Sequence, residues 1–72
     1  MFGATGVLDV NCLPWCHIYI DDADTGRNSP ALGLQLAVGR HVLKVVNPPT
    51  GAYQERVIEI AKEGRARELF RF

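Results

Sequence analysis

The stretch "NCLPWCHIYIDD", Asn11 to Asp22, decides how the chain folds. Its second half alternates, with Cys16, Ile18 and Ile20 on one side and His17, Tyr19 and Asp21 on the other. A period of two is the mark of a half-buried strand. The residues before it alternate in the same way: Leu8, Val10 and Cys12 oppose Asp9 and Asn11 from Gly6 onward. Leu13-Pro14-Trp15 separates the two runs, because Pro14 has no N–H to donate into a ladder. Two strands joined by a Pro-Trp corner are therefore expected, and Asp21-Asp22 reads as the turn that ends the second.

Outward from this stretch, glycine and proline cut the chain into short pieces. Asp22 to Pro30 holds Gly26, Asn28, Ser29 and Pro30 and reads as a polar loop. Leu32, Leu34 and Leu36 alternate with Gly33 and Gln35. Gly39 marks a turn, and "RHVLKVVN" (Arg40 to Asn47) is a β-branched-rich strand. Asn47-Pro48-Pro49-Thr50-Gly51 breaks the chain again. Tyr53 to Ala61 reads as a strand with Ile58 and Ile60 inward, and Lys62-Glu63-Gly64 fits a short hairpin turn. Arg65 to Phe72 closes the chain as a last strand, with Phe70 and Phe72 competing against Leu69 for the core. "IAKEGRAREL" holds helix formers, but Gly64 interrupts them. Short strands at spacings of roughly 8–12 residues predict an all-β fold, a small antiparallel β-sandwich of about six to seven strands spanning 1–72 as one domain.

Composition narrows the function classes. The chain has 72 residues, 47% hydrophobic, with zero formal net charge. Without a basic excess, nucleic acid is not an expected partner. No apolar run is long enough for a membrane span, and residues 1–20 lack a basic-then-apolar leader pattern. Met1 followed by Phe2-Gly3-Ala4 reads either as a plain start or as the boundary of a module cut from a longer protein. A domain this small buries little core and needs a staple or a partner.

From about Gly6 to Phe72 the sequence resembles the PEGA domain family. "PWCHIYIDDADTGRNSP" is similar to the family signature, in which a proline and a small residue precede a strand ending in Asp-Gly, followed by a glycine and a Thr-Pro. Pro14, Cys16, Ile18, Ile20, Asp21, Gly26 and Pro30 fill those positions. "LQLAVGRHVLKVVNP" resembles the family's Leu-x-Leu-x-x-Gly-x-His-x-Val segment through Leu34, Leu36, Gly39, His41 and Leu43. Three departures stand out: Asp22 in place of the turn glycine, Asn28-Ser29-Pro30 in place of Thr-Pro, and Cys16 where the family has alanine or glycine. The Pro14-Trp15 pair and the "VVNP" ending are most similar to PEGA domains at the non-catalytic C-terminal end of bacterial serine/threonine kinases. The resemblance implies an accessory β-sandwich without enzymatic activity, periplasmic or on the cell surface, and brings no ligand or cofactor with it. Kinase Gly-rich, His-Arg-Asp and Asp-Phe-Gly sequences are absent from the chain.

The residues that carry chemistry each have a structural and a functional reading. Cys12, Cys16 and His17 lack the second Cys pair that zinc commonly takes, and alternation turns His17 away from Cys16. No helix N-terminus is expected that would activate a thiol. The preferred reading is two small buried residues; an internal disulfide across the turn is the alternative, if the Cα atoms lie within ~4.4–6.8 Å. Trp15 either caps the sandwich end, the favoured reading, or anchors a partner. His41 reads as a buried histidine bonded to backbone. Asp21, Asp22, Asp24 and Asn28 fail the calcium-loop pattern, since its sixth and twelfth positions fall on Arg27 and Gly33. Arg65, Arg67 and Arg71, with Lys44, form either a basic stripe or cross-strand pairs with acids, the second being preferred.

Three functions remain. The first is protein binding. The second is a carbohydrate or peptidoglycan binder that stacks sugars on Trp15, Tyr19 or Tyr53. The third is self-assembly into homo-oligomers through edge strands.

Overall fold

The structure, a computed structural model, describes residues 3–72; Met1 and Phe2 lie outside the described residues. Seven strands follow one another: β1 (Thr5–Leu13), β2 (His17–Ile20), β3 (Ala23–Asn28), β4 (Ala31–Ala37), β5 (Gly39–Asn47), β6 (Ala52–Ile60) and β7 (Arg65–Arg71). They form two sheets, one of order β4-β1-β7 and one of order β3-β2-β5-β6. The chain is all-β, as its alternation predicts, and among the described residues it has no helix.

The core lies between the sheets. Leu8, Val10 and Cys12 of β1 meet Cys16, Ile18 and Ile20, Leu43 and Val45 of β5, Ile58 and Ile60 of β6, and Phe70 of β7. Burying an aliphatic side chain of this kind contributes about 1.5–3 kcal/mol relative to exposure, so this set supplies most of what a small domain can draw on. The parity left open for the last strand resolves on Phe70, which is buried while Leu69 and Phe72 are exposed.

Five expectations need correction. The 22–30 segment is not a loop: its middle is strand β3, paired with β2. Asp21 and Asp22 both have left-handed backbone, at φ 52° and 67°, and Ile20 pairs with Ala23. A two-residue turn with both φ values positive matches strand twist and makes a tight hairpin. Leu32 is not a core residue. The β1–β4 register shifts between Leu8/Leu34 and Val10/Ala31, so an extra residue sits opposite Asp9. Gly33, at φ +74°, absorbs the bulge. Ala31 takes the core position and Leu32 is turned out, 63% exposed.

Lys62-Glu63-Gly64 does not close a hairpin. β6 and β7 belong to different sheets, and the segment is a crossing between them. β7 pairs instead with β1, and in parallel, over Val7↔Arg65 to Leu13↔Arg71. The sandwich is therefore antiparallel except for this one pair. Parallel neighbours need a long connection, and the whole chain between the first and last strands serves as it. Lastly, Lys44 of β5 does not share a face with Arg65, Arg67 and Arg71 of β7, because the two strands lie in opposite sheets.

Candidate functional site

The two ends of the sandwich are built differently. At one end Cys12 and Cys16 are joined as a disulfide with a Cα separation of 5.7 Å, in place of the two thiols preferred on sequence. Cys12 closes β1 in one sheet and Cys16 opens the β2 arm of the other, so the bond staples sheet to sheet across the Pro14-Trp15 corner. Both sulfurs are buried. Ser29 completes the corner: its hydroxyl oxygen accepts from the Cys16 N–H (3.0 Å) and its own N–H donates to the Cys16 carbonyl (2.8 Å). Pro30 follows at the crossing into β4. Asn47, buried, donates its side-chain amide to the Trp15 carbonyl (2.8 Å) and accepts from the Thr50 hydroxyl (2.8 Å). Pro14 is exposed and Trp15 is partly so.

The other end is held without a covalent bond. The Val7 N–H donates to the Gly64 carbonyl and the Glu63 N–H to the Thr5 carbonyl, both at 2.9 Å. This close approach requires Gly6: a Cβ there would collide with the Ala61 carbonyl oxygen and lie 2.6 Å from Ile60 Cγ2. Gly39, at φ +124°, turns β4 into β5 at the same end. His41 lies beside that turn, half-buried. Its Nδ1 faces Asp21 Oδ2 at 2.6 Å and its Nε2 faces the Ala37 carbonyl at 2.7 Å. The sequence reading of a backbone-bonded histidine needs this carboxylate added. Neither partner can donate, so only the imidazolium satisfies both contacts. The Asp21 bond, then the Ala37 bond, raises the His41 pKa above its ordinary value. Asp21 is lowered in turn, first by His41 and then by the Val42 N–H it accepts.

The outer face of the four-stranded sheet carries His17, Tyr19, Lys44 and Tyr53. His17 Nδ1 faces Asn28 Oδ1 and Nε2 faces Asp24 Oδ1, each at 2.6 Å, and these bonds raise its pKa, Asn28 foremost. Asp24 also accepts from the Gly26 N–H at 2.7 Å, where Gly26 sits at φ +71° in the β3 bulge. The Gly26 bond first, then His17, lowers the Asp24 pKa. The Lys44 ammonium lies 5.9 Å from the Tyr19 ring centre and 5.0 Å from that of Tyr53. Tyr19 and Tyr53 are thus brought together around a cation. Val42 and Val57, paired directly on the same face, are also exposed.

The outer face of the three-stranded sheet holds a groove of about 570 Å³, lined by Asp9, Asn11, Leu32, Arg65, Arg67 and Leu69 among others. Asp9 is its buried centre. It accepts from the Gly33 N–H (2.9 Å) and from Arg65 Nη1 on both oxygens (2.7 and 2.5 Å), with Arg67 Nε at 3.7 Å. The Gly33 N–H, followed by the Arg65 guanidinium, holds the Asp9 carboxyl below the usual carboxylate range. The sequence favours cross-strand pairing of these arginines with acids over a basic stripe, and Arg65 does pair with Asp9; the groove was missed, since Asp9 and Arg67 become neighbours only in the parallel register. Arg67 and Arg71 alternating with Leu69 was the available signal.

Among the described residues no three His, Cys, Asp or Glu side chains gather to hold a metal ion. Asp21 and Asp24 serve histidines and backbone turns instead. Among the described residues no helix is long and apolar enough to cross a membrane. No protein-family model, curated protein or solved structure matches the chain.

Proposed function

We propose that this chain is a non-catalytic protein-binding module of the PEGA kind, an accessory unit of a larger bacterial envelope or signalling protein such as a serine/threonine kinase. The observation that carries the reading is the outer face of the three-stranded sheet. There the exposed Leu32 and Leu69 line a groove whose buried charge, Asp9, is already paired, and Leu13 lies exposed further along β1. Grouped exposed leucines beside arginine are the composition of protein interfaces. A general acid, base or nucleophile needs a partner group and an unengaged position, and the titratable groups with perturbed pKa values here are spent on turns and cross-strand bonds.

The second reading is a glycan binder, favoured by the pairing of Tyr19 and Tyr53 on one face. Lys44 weakens it, because its ammonium lies over both rings where a sugar ring would stack. Titration of the isotope-labelled chain with soluble peptidoglycan fragments separates the two. Under the protein-binding reading the Trp15, Tyr19 and Tyr53 resonances stay in place; saturable shifts there transfer the function to glycan.

A further inference from the structure

We propose that β7 is a docking edge for an extended acidic segment of a partner protein, one that reads acid-x-apolar-x-acid and adds to the sheet as a fourth strand. The inference rests on the protein-binding reading above and names the partner's chemistry. β7 is an edge strand, hydrogen-bonded on one side to β1. The Gly64 carbonyl and the Phe72 N–H bond toward β1. In a parallel ladder a residue turns both its backbone groups to the same neighbour, so the even-numbered positions face β1. Arg65, Arg67 and Leu69 therefore aim their N–H and C=O groups at the free side. The Arg71 carbonyl points the same way and is met by the Gln54 side chain at 2.7 Å, which ends the open stretch.

The side chains of these same residues lie on the outer face. Arg67, Leu69 and Arg71 repeat every second residue, about 6.6 Å apart along the strand. An added strand has the same repeat, so a carboxylate, an apolar group and a second carboxylate meet Arg67, Leu69 and Arg71 in turn. Asp9 already holds Arg65 on both oxygens, whereas Arg67 is 80% exposed and only 3.7 Å from the nearer Asp9 oxygen. The chain has zero formal net charge, yet this face holds three arginines against Asp9. On the opposite face Arg40 stands across from Glu59 and Lys44 from Glu55 in the β5–β6 register, so charges of both signs alternate there. The charge pattern also chooses between occupants. Two copies of β7 laid edge to edge would set arginine against arginine, and like charges directly opposite destabilise a ladder. An acidic segment meets the reverse.

The test is a titration of the labelled full chain with a synthetic peptide in which glutamates flank a valine at alternate positions, and with the same peptide carrying lysines for the glutamates. Expected are saturable amide shifts at Arg67 and Leu69, weakening with salt, and binding about tenfold tighter than for the lysine peptide. Arg67→Glu should invert the preference, and Arg71→Glu should reproduce the inversion if Arg67→Glu perturbs the fold. Equal binding of the two peptides, or no shift with either, overturns the proposal. Shifts confined to β6 overturn it while leaving the protein-binding reading intact. Concentration-dependent shifts at Leu69 without peptide assign the edge to a second copy and overturn it too. Tyrosine shifts with glycan and none with peptide overturn both.

Discussion

The disulfide end and the glycine end of this sandwich do the same job by opposite means. Each carries the chain from one sheet to the other, at the two extremities of β1. At the disulfide end a covalent bond fixes the sheets, and the buried Asn47 amide, with the Ser29 and Thr50 hydroxyls, ties the corner by hydrogen bonds. At the glycine end nothing is covalent. The backbones approach because Gly6 has no side chain, and His41, bonded to Asp21 and to the Ala37 carbonyl, ties two turns together. The first kind of joint tolerates changes of pH and depends on oxidation. The second depends on volume and on a proton.

The largest effect should come from filling the glycine end. Gly6→Val places carbon where the Ala61 carbonyl stands, and that backbone oxygen cannot rotate away. A loss of about 3 kcal/mol, the upper part of the overpacking range, is expected in urea unfolding. An unchanged midpoint would show that the end is loose. Next is the staple. A closed loop of about five residues predicts a contribution of about 2 kcal/mol from chain entropy, to be read as the difference between equilibrium unfolding with and without reductant. If reduction costs as much as Gly6→Val, the two ends are not distinct in kind. Asn47→Ala comes third, at about 1.5 kcal/mol, because it removes the buried Asn47 donor to the Trp15 carbonyl and the acceptor of the Thr50 hydroxyl. Its effect should simply add to that of Gly6→Val, the two sites lying at opposite ends with no shared partner.

The smallest effect is the most diagnostic. His41 has its pKa raised in the folded state, so its contribution is fully present below the unfolded value of 6.5 and is lost as pH rises through the folded value. The protection of amides from Ala37 to Val42, measured against their intrinsic exchange rates at each pH, should therefore fall on that rise, while that of Cys12 to His17 holds. His17 is raised as well, but the Asn28 amide can turn to donate to the neutral ring, whereas the Ala37 carbonyl cannot. His41→Gln should flatten the pH dependence at the glycine end; an unaltered slope would move the titration to His17. The carboxylates run the other way. Asp9, Asp21 and Asp24, lowered below 3.8, contribute stability that is lost as pH falls through their folded values.

Six of the seven strands were legible because each has an apolar face in period two. β3 was not, since "ADTGRN" has no inward apolar side and is made of turn formers; its pairing with β2 and the Asp21-Asp22 hairpin hold it in place. The bulge at Gly33 hid itself by mimicking strict leucine alternation. Lys62-Glu63-Gly64 misled because a hairpin and a crossing use the same residues, and only the distant β1–β7 pairing tells them apart. The disulfide was visible as an alternative, but nothing in a Cys-x3-Cys spacing fixes the Cα distance. The candidate edge was half visible: the arginine alternation lies in the sequence, the free backbone groups beside it do not.

The parallel pairing of the first and last strands sets the mechanical character of the module. β1 starts at the glycine end and β7 finishes at the disulfide end of a body 41 Å long. Tension applied through the two chain ends draws β1 and β7 past each other lengthwise, so the slanted bonds of the whole Val7–Leu13 register share the load at once instead of parting singly. A unit strung in line within a longer chain would transmit force in shear, and would yield only when its first and last strands slid apart together.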